Sequence, residues 1–140
     1  MQYEIIPCAD GDAEYIEEQA DQAINAIVPP EDGAQEEVFV YQVTDTEGRF
    51  LGGCILVTEE WKTAVIYDLW VEEPFRHQGI ASALLHAFER EAKENGAYRL
   101  GVEPFDWNVG FFRKNGYEKV TGVLEDYPKG HTMFCMEKPL

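Results

Sequence analysis

The run Leu69-Trp70-Val71-Glu72-Glu73-Pro74-Phe75-Arg76-His77-Gln78-Gly79-Ile80-Ala81-Ser82 carries the residue types of an anion-binding turn. An apolar strand passes through a basic, glycine-bearing turn directly into a helix. The first N–H groups of a helix have no partner inside it, and the helix dipole places partial positive charge there. Gly79 and Ala81 carry little or no side chain, so an anion can come close to that backbone. Arg76 adds a full positive charge, and the product suits a pyrophosphate. The segment is not a nucleoside-triphosphate loop, because the Gly-Lys-Ser/Thr ending is missing. It is not a dinucleotide fingerprint either, since the glycine spacing and the acid at the next strand end are wrong. Read alone, it also fits an ordinary strand-to-helix turn.

Other residues could do chemistry beside it. Asp68 lies in an otherwise apolar strand, where a carboxylate is costly unless partnered. Alternation along the strand puts Asp68 and Trp70 on one face and Tyr67, Leu69 and Val71 on the other. Burial there would suit Asp68 to base work; the other reading is a carboxylate bonded to a neighbouring Tyr, Trp or N–H to hold the site. Tyr127 and His131, on the last connection, are candidate acids, with turn packing and a strand start as their plain readings. Glu72 and Glu73 read as solvated turn charges. Trp61, Trp70 and Trp107 could wall a pocket, with Trp107 expected in the core and Trp61 half exposed. Cys8, Cys54 and Cys135 are scattered, which gives neither a disulfide framework nor a metal spacing. They read as buried, reduced thiols, and none has the adjacent histidine or helix start of a nucleophile.

The elements that must position these groups follow from periodicity. A short strand is expected at residues 4–6 and a helix at 10–28, capped by Asp10 and stopped by Pro29-Pro30. Strands at 38–44 and 50–58 flank the turn Asp45-Thr46-Glu47-Gly48 as a hairpin. The most apolar strand covers 63–71, as suits the centre of a sheet. A helix at 79–95 shows Ile80, Leu84, Ala87, Phe88 and Ala92 on one face and ends at Gly96. A strand at 97–102, a short helix at 107–115 and strands at 117–124 and 132–137 complete the chain. This order predicts one α/β (α+β) domain over residues 1–140, with a mixed sheet of about six to seven strands flanked by helices.

A second element lies downstream: Asn108-Val109-Gly110-Phe111-Phe112-Arg113-Lys114-Asn115-Gly116-Tyr117. Taken with the Leu69-Trp70-Val71 strand end and the Arg76-to-Ala81 loop, it resembles the GCN5-related N-acetyltransferase (GNAT) family. The ending from Gly122 to His131 is similar to a bacterial small single-domain subgroup. The resemblance implies a mostly antiparallel sheet splayed at strands 4 and 5. It implies an N-acyltransferase that moves an acetyl group from acetyl-CoA to an amine acceptor by direct attack in a ternary complex. The backbone of Leu69, Trp70 and Val71 would pair with the pantetheine amides. The turn residues Arg76, His77, Gln78, Gly79, Ile80, Ala81 and Ser82 would hold the pyrophosphate. Asn108, Gly110, Phe112 and Lys114 would flank the arm, and the Val71 N–H would stabilise the oxyanion. The catalytic candidates are Asp68 as base and Tyr127 as acid. The chain departs from the family at Phe112, where a tyrosine often protonates the leaving thiolate. That departure keeps two other readings open: an acyl-CoA-binding regulatory module, and an interaction domain that retains only the fold.

Composition bounds the partners. With 27 Asp plus Glu against 11 Lys plus Arg, the net charge is −16, which repels nucleic acid and anionic membranes. The same field attracts cationic amines, or is simply a solvated surface. The opening Met1-Gln2-Tyr3-Glu4 lacks a basic then apolar leader, so the expected location is cytoplasmic. No metal site is expected. An exposed last strand could pair two copies into a homodimer.

Overall fold

A computed structural model describes residues 1–29, 36–59 and 61–140. Backbone contacts divide the chain into two units, Met1–Asp32 and Gly33–Leu140.

The first unit holds helix α1 (Asp10–Ile27). Residues 1–9 form no strand, so the expected strand at 4–6 is absent. Ile5 and Ile6 stay exposed, and two apolar residues in a row do not make a strand without a partner to hydrogen-bond. Ala9, not Asp10, occupies the N-cap position and makes no side-chain cap bond. The Val28 N–H bonds Ile24 C=O at 2.8 Å, closing the last turn just before Pro29. Most of the acidic stretch that follows lies outside the described residues.

The second unit is built on one sheet: β1 (Glu37–Thr44), β2 (Phe50–Thr58), β3 (Thr63–Val71), β4 (Arg99–Val102), β5 (Lys119–Glu125) and β6 (Thr132–Pro139). Its spatial order is β1-β2-β3-β4-β6-β5. Only β3 and β4 run parallel, and they pair only from Thr63–Arg99 to Val65–Gly101. Beyond that point β3 stays with β2 while β4 follows β6, so the sheet splits as the family resemblance implies. The last strand, β6, is not an edge: it lies between β4 and β5, and the edges are β1 and β5. The basis for pairing copies through the last strand is therefore gone.

Helix α2 (Ile80–Glu94) buries Leu84, Leu85, Phe88 and Ala92 against the sheet. Facing them are Cys54 and Leu56 of β2, Ala64 and Ile66 of β3, and Leu100 and Val102 of β4. Leu85 joins the expected apolar face because a helix packed on a sheet buries a broad stripe. The helix is tied at both sides by polar bonds. Tyr41 Oη donates to Glu91 at 2.6 Å, while Tyr117 Oη and Lys138 Nζ donate to Glu89 at 3.2 and 3.0 Å. Short helix α3 (Val109–Lys114) sends Val109 and Phe112 into the same core. Of the three thiols only Cys54 is buried; Cys8 is exposed and Cys135 half-buried. No described helix is long and apolar enough to cross a membrane.

Candidate functional site

The strand–turn–helix segment is shaped by two left-handed residues, His77 at φ 61° and Gly79 at φ 86°. Gly79 is the N-cap of α2. Its C=O accepts from the Ala83 N–H at 3.0 Å. The N–H groups of Ile80, Ala81 and Ser82 therefore project from the helix start, as those of any first turn must. A Cβ added at Gly79 would meet nothing within 4 Å, so the backbone there faces open space. Arg76 is not a free cation. Its Nε donates to Val71 C=O at 2.8 Å, and its guanidinium lies 4.7 Å over the Trp70 ring. This ties the basic turn to the end of β3.

The end of β3 has one free side. The Glu72 N–H bonds Leu51 C=O at 2.8 Å, and Gly53 and Gly52 stand opposite Trp70 and Val71. In an antiparallel ladder the bonding direction alternates. Trp70 and Glu72 therefore aim their backbone groups at β2, and Leu69 and Val71 aim theirs at the split. With the Val71 C=O occupied by Arg76, its N–H and both polar groups of Leu69 face the gap.

Two cavities use this gap, and the described residues that line them belong to the second unit. The first is a groove of about 640 Å³ along the end of β3, the turn, the start of α2 and one side of α3. It is lined by Leu69, Trp70, Val71, Arg76, His77, Gly79, Ile80, Ala81, Ser82, Asn108, Gly110 and Phe112, all expected from the sequence. The second is a cavity of about 670 Å³ inside the split, with Tyr67, Asp68, Glu59 and Glu103 on its walls. Leu69, Asn108 and Phe112 line both, so the cavities meet there. Asn108 is oriented by its own turn: its Oδ1 accepts from the Phe105 N–H at 2.7 Å, which leaves the amide nitrogen as a donor. Gly110 likewise has open space where a Cβ would sit. Groove, glycine openings and outward amides together fit an elongated ligand with an anionic end.

Not every predicted site residue lines a cavity, and the burial expected for Asp68 and Trp107 needs correction. Gln78 and Lys114 are exposed and line neither cavity. Tyr127 is exposed on the β5–β6 connection and also lines neither. Asp68 is exposed, not buried. The cause is a β-bulge: the register with β2 shifts between Ile55–Asp68 and Leu56–Ile66, leaving Tyr67 as the extra residue. The bulge resets the alternation, so Ile66 and Leu69 both turn to the core and Tyr67 parts from Leu69 and Val71. Asp68 and Trp70 still share a strand face but line different cavities. Trp107 is not a core ring; it is 60% exposed and lines the groove.

Sequence reasoning missed Phe75 and Phe111 on the groove and Glu59, Glu103 and Phe105 on the cavity. Glu103 and Phe105 directly follow β4, so a reading of which strand ends face the split would have found them. Glu59 bends back in the β2–β3 hairpin, where it accepts from Thr63 Oγ1; no local signal marks it.

The chain belongs to the acetyltransferase (GNAT) family, which it matches over residues 4–117. Its structure is similar to that of an acetyltransferase from Bacillus cereus ATCC 14579, with 33% identity, a TM-score of 0.86, and coverage of 99% of this chain and 98% of that one. It is 29% identical over 106 residues to blasticidin-S acetyltransferase of Streptomyces morookaense, covering 74% of this chain and 76% of that protein. The fold is also shared with an aminoglycoside 6'-N-acetyltransferase complexed with coenzyme A, at 15% identity, a TM-score of 0.67 and 97% coverage of both chains.

Proposed function

We propose that the chain moves an acetyl group from acetyl-CoA to a small, cationic amine by direct attack in a ternary complex. The observation that carries this reading is the meeting of the groove and the split cavity at Leu69, Asn108 and Phe112. Acetyl-CoA supplies an activated acyl carbon. The N–H groups of Ile80, Ala81 and Ser82 hold its pyrophosphate, helped by Arg76. The outward amides of Leu69 and Val71 pair with the pantetheine arm, and the Asn108 amide nitrogen donates to it. That seating places the acyl carbon at the junction, within reach of an amine in the second cavity.

The split cavity suits a protonated amine. Its described lining contains Glu59, Asp68 and Glu103 and no Lys, Arg or His. Opposite charges in such a cavity draw in a cation and hold it. Exposed Asp68 then acts as the carboxylate that orients the ammonium and passes its proton to water, in place of a buried base. As the amine attacks, negative charge grows on the carbonyl oxygen, and the Val71 N–H facing the gap receives it. Phe112 gives the leaving thiolate no proton, so solvent protonates it. A relative named for blasticidin-S favours a small-molecule acceptor over a protein one.

Thiol release measured with acetyl-CoA and a panel of small amines tests the reading. Release well above the amine-free background is expected for amines with more than one positive charge, and a rise in KM for the amine is expected in Asp68→Asn and Glu103→Gln. Tight acetyl-CoA binding with no transfer to any amine would replace this reading with that of an acyl-CoA-binding regulatory module, which Phe112 favours.

A further inference from the structure

The turn between β4 and α3 is fixed from both sides. The Val109 N–H bonds Phe105 C=O at 2.8 Å, and the Asp106 N–H bonds Thr132 C=O at 2.9 Å. From this turn two rings fan out to different cavities, Phe105 to the split and Trp107 to the groove. They stack almost parallel, with centroids 4.4 Å apart and planes 11° apart. Trp107 also meets His131 nearly at right angles, with centroids at 5.0 Å and planes at 88°. His131 is itself held, its Nδ1 lying 3.2 Å from both carboxylate oxygens of Asp106. A carboxylate only accepts, so Nδ1 carries the hydrogen. Asp106 is anchored in turn by the Thr132 N–H at 3.4 Å.

The arrangement is unusual for a large apolar ring. A core indole would be buried, and a solvated one would have no clamp. Trp107 stays 60% exposed while in contact with two fixed rings. Such a ring costs apolar exposure until something covers it. Its stack crosses from one cavity to the other beside Asn108, close to where they meet.

We propose that Trp107 is a donor-site wall that keeps water off the thioester, and that His131, held by Asp106, is the positioning residue that sets the indole. The inference rests on the acyl-CoA reading above. Without the wall, water attacks the acyl carbon: a C–O bond forms, the C–S bond breaks, one water proton ends on the sulfur and the other passes to solvent, giving acetate and free coenzyme A. The indole fills the volume from which that water would come. Phe105 backs the wall on the acceptor side, so the amine is the nucleophile that reaches the carbon.

The test compares wild type with Trp107→Ala, Trp107→Phe and His131→Ala by three readouts: calorimetric affinity for acetyl-CoA, amine-free thiol release per bound donor, and indole fluorescence on donor titration. Melting curves monitor folding. Trp107→Ala should weaken acetyl-CoA binding about tenfold, which is about 1.4 kcal/mol, and raise amine-free release severalfold. Trp107→Phe should recover most of both, since a flat ring remains, while the donor-induced fluorescence change falls to the part that Trp70, on the same groove, contributes. His131→Ala should keep affinity within about threefold yet raise the ratio of amine-free release to transfer, a split that general destabilisation does not produce. Wild-type binding with Trp107→Ala unchanged in affinity and release would overturn the wall alone. A wild type that fails to bind acetyl-CoA in the calorimeter would overturn the donor reading and the wall with it. Should Trp107→Ala melt early, an unchanged release-to-transfer ratio in well-folded His131→Ala would overturn the positioning role.

Discussion

Replacing Gly79 by alanine separates the backbone cost of the turn from its use. At φ 86° an L-residue pays a left-handed penalty, roughly 1–2 kcal/mol. The new methyl clashes with nothing, since the space around it is empty to 4 Å. Gly130 is a matched control: its φ is 83°, its surroundings are equally open, and it lines neither cavity. Both variants should therefore lose similar stability, each lowering the melting temperature by roughly 2–8 °C. Only Gly79→Ala puts a methyl into the groove where the pyrophosphate must approach. Loss of one hydrogen bond to a charged acceptor costs roughly 1.5–3 kcal/mol, or about 10- to 150-fold in Kd. Calorimetry of both variants with acetyl-CoA reads this directly. S-acetyl-pantetheine, which lacks the pyrophosphate, should bind the two variants alike. The reasoning is refuted if Gly79→Ala binds acetyl-CoA as tightly as Gly130→Ala does.

Three further outcomes follow from packing and burial. A Cβ at Gly52 would lie 2.6 Å from the Trp70 carbonyl oxygen and 3.2 Å from Val71 Cα, so Gly52→Ala should cost roughly 1–3 kcal/mol; an unchanged melting curve would show that the strands yield freely there. Burial pushes the Cys54 thiol up from 9.0 to about 12. Stability from this group is complete below about pH 9 and declines as pH rises toward 12, because the unfolded thiol ionises first. A disulfide reagent near pH 8 should accordingly label exposed Cys8 at once and Cys54 only on unfolding; native labelling of both at one rate contradicts this. Phe112→Tyr adds a hydroxyl to a ring lining both cavities. It should raise kcat for transfer, by no more than the roughly 10²–10⁴-fold general acid help supplies; a well-folded variant with unchanged kcat would argue that thiolate departure is not limiting.

Much of the fold was legible because its signals are local. Pro29, Gly96 and Gly116 end their helices as read, and Gly96 and Gly116 take positive φ to do so. The α2 face came from periodicity alone. The failures lie where pairing decides. Residues 4–6 have strand composition but no strand partner, and composition cannot supply one. The edge strand was misplaced because chain order does not give spatial order: β6 inserts between β4 and β5.

The same division runs through the site. The groove proposed for the donor is made mainly of one contiguous segment that would act through its backbone, so strand, glycine and helix start can be read in order. The split cavity is made of residues that meet only because β3 and β4 part after Val65 and Gly101. Its carboxylates come from the end of β2, the bulge of β3 and the exit of β4. The bulge is the instructive element. Strict alternation would seat Tyr67 with Leu69 and Val71, yet one extra residue turns Tyr67 and Asp68 together toward the split. That single shift leaves Asp68 exposed where strict alternation would bury it. Under the proposed function, the cavity then chooses its acceptor by charge, through Glu59, Asp68 and Glu103 together.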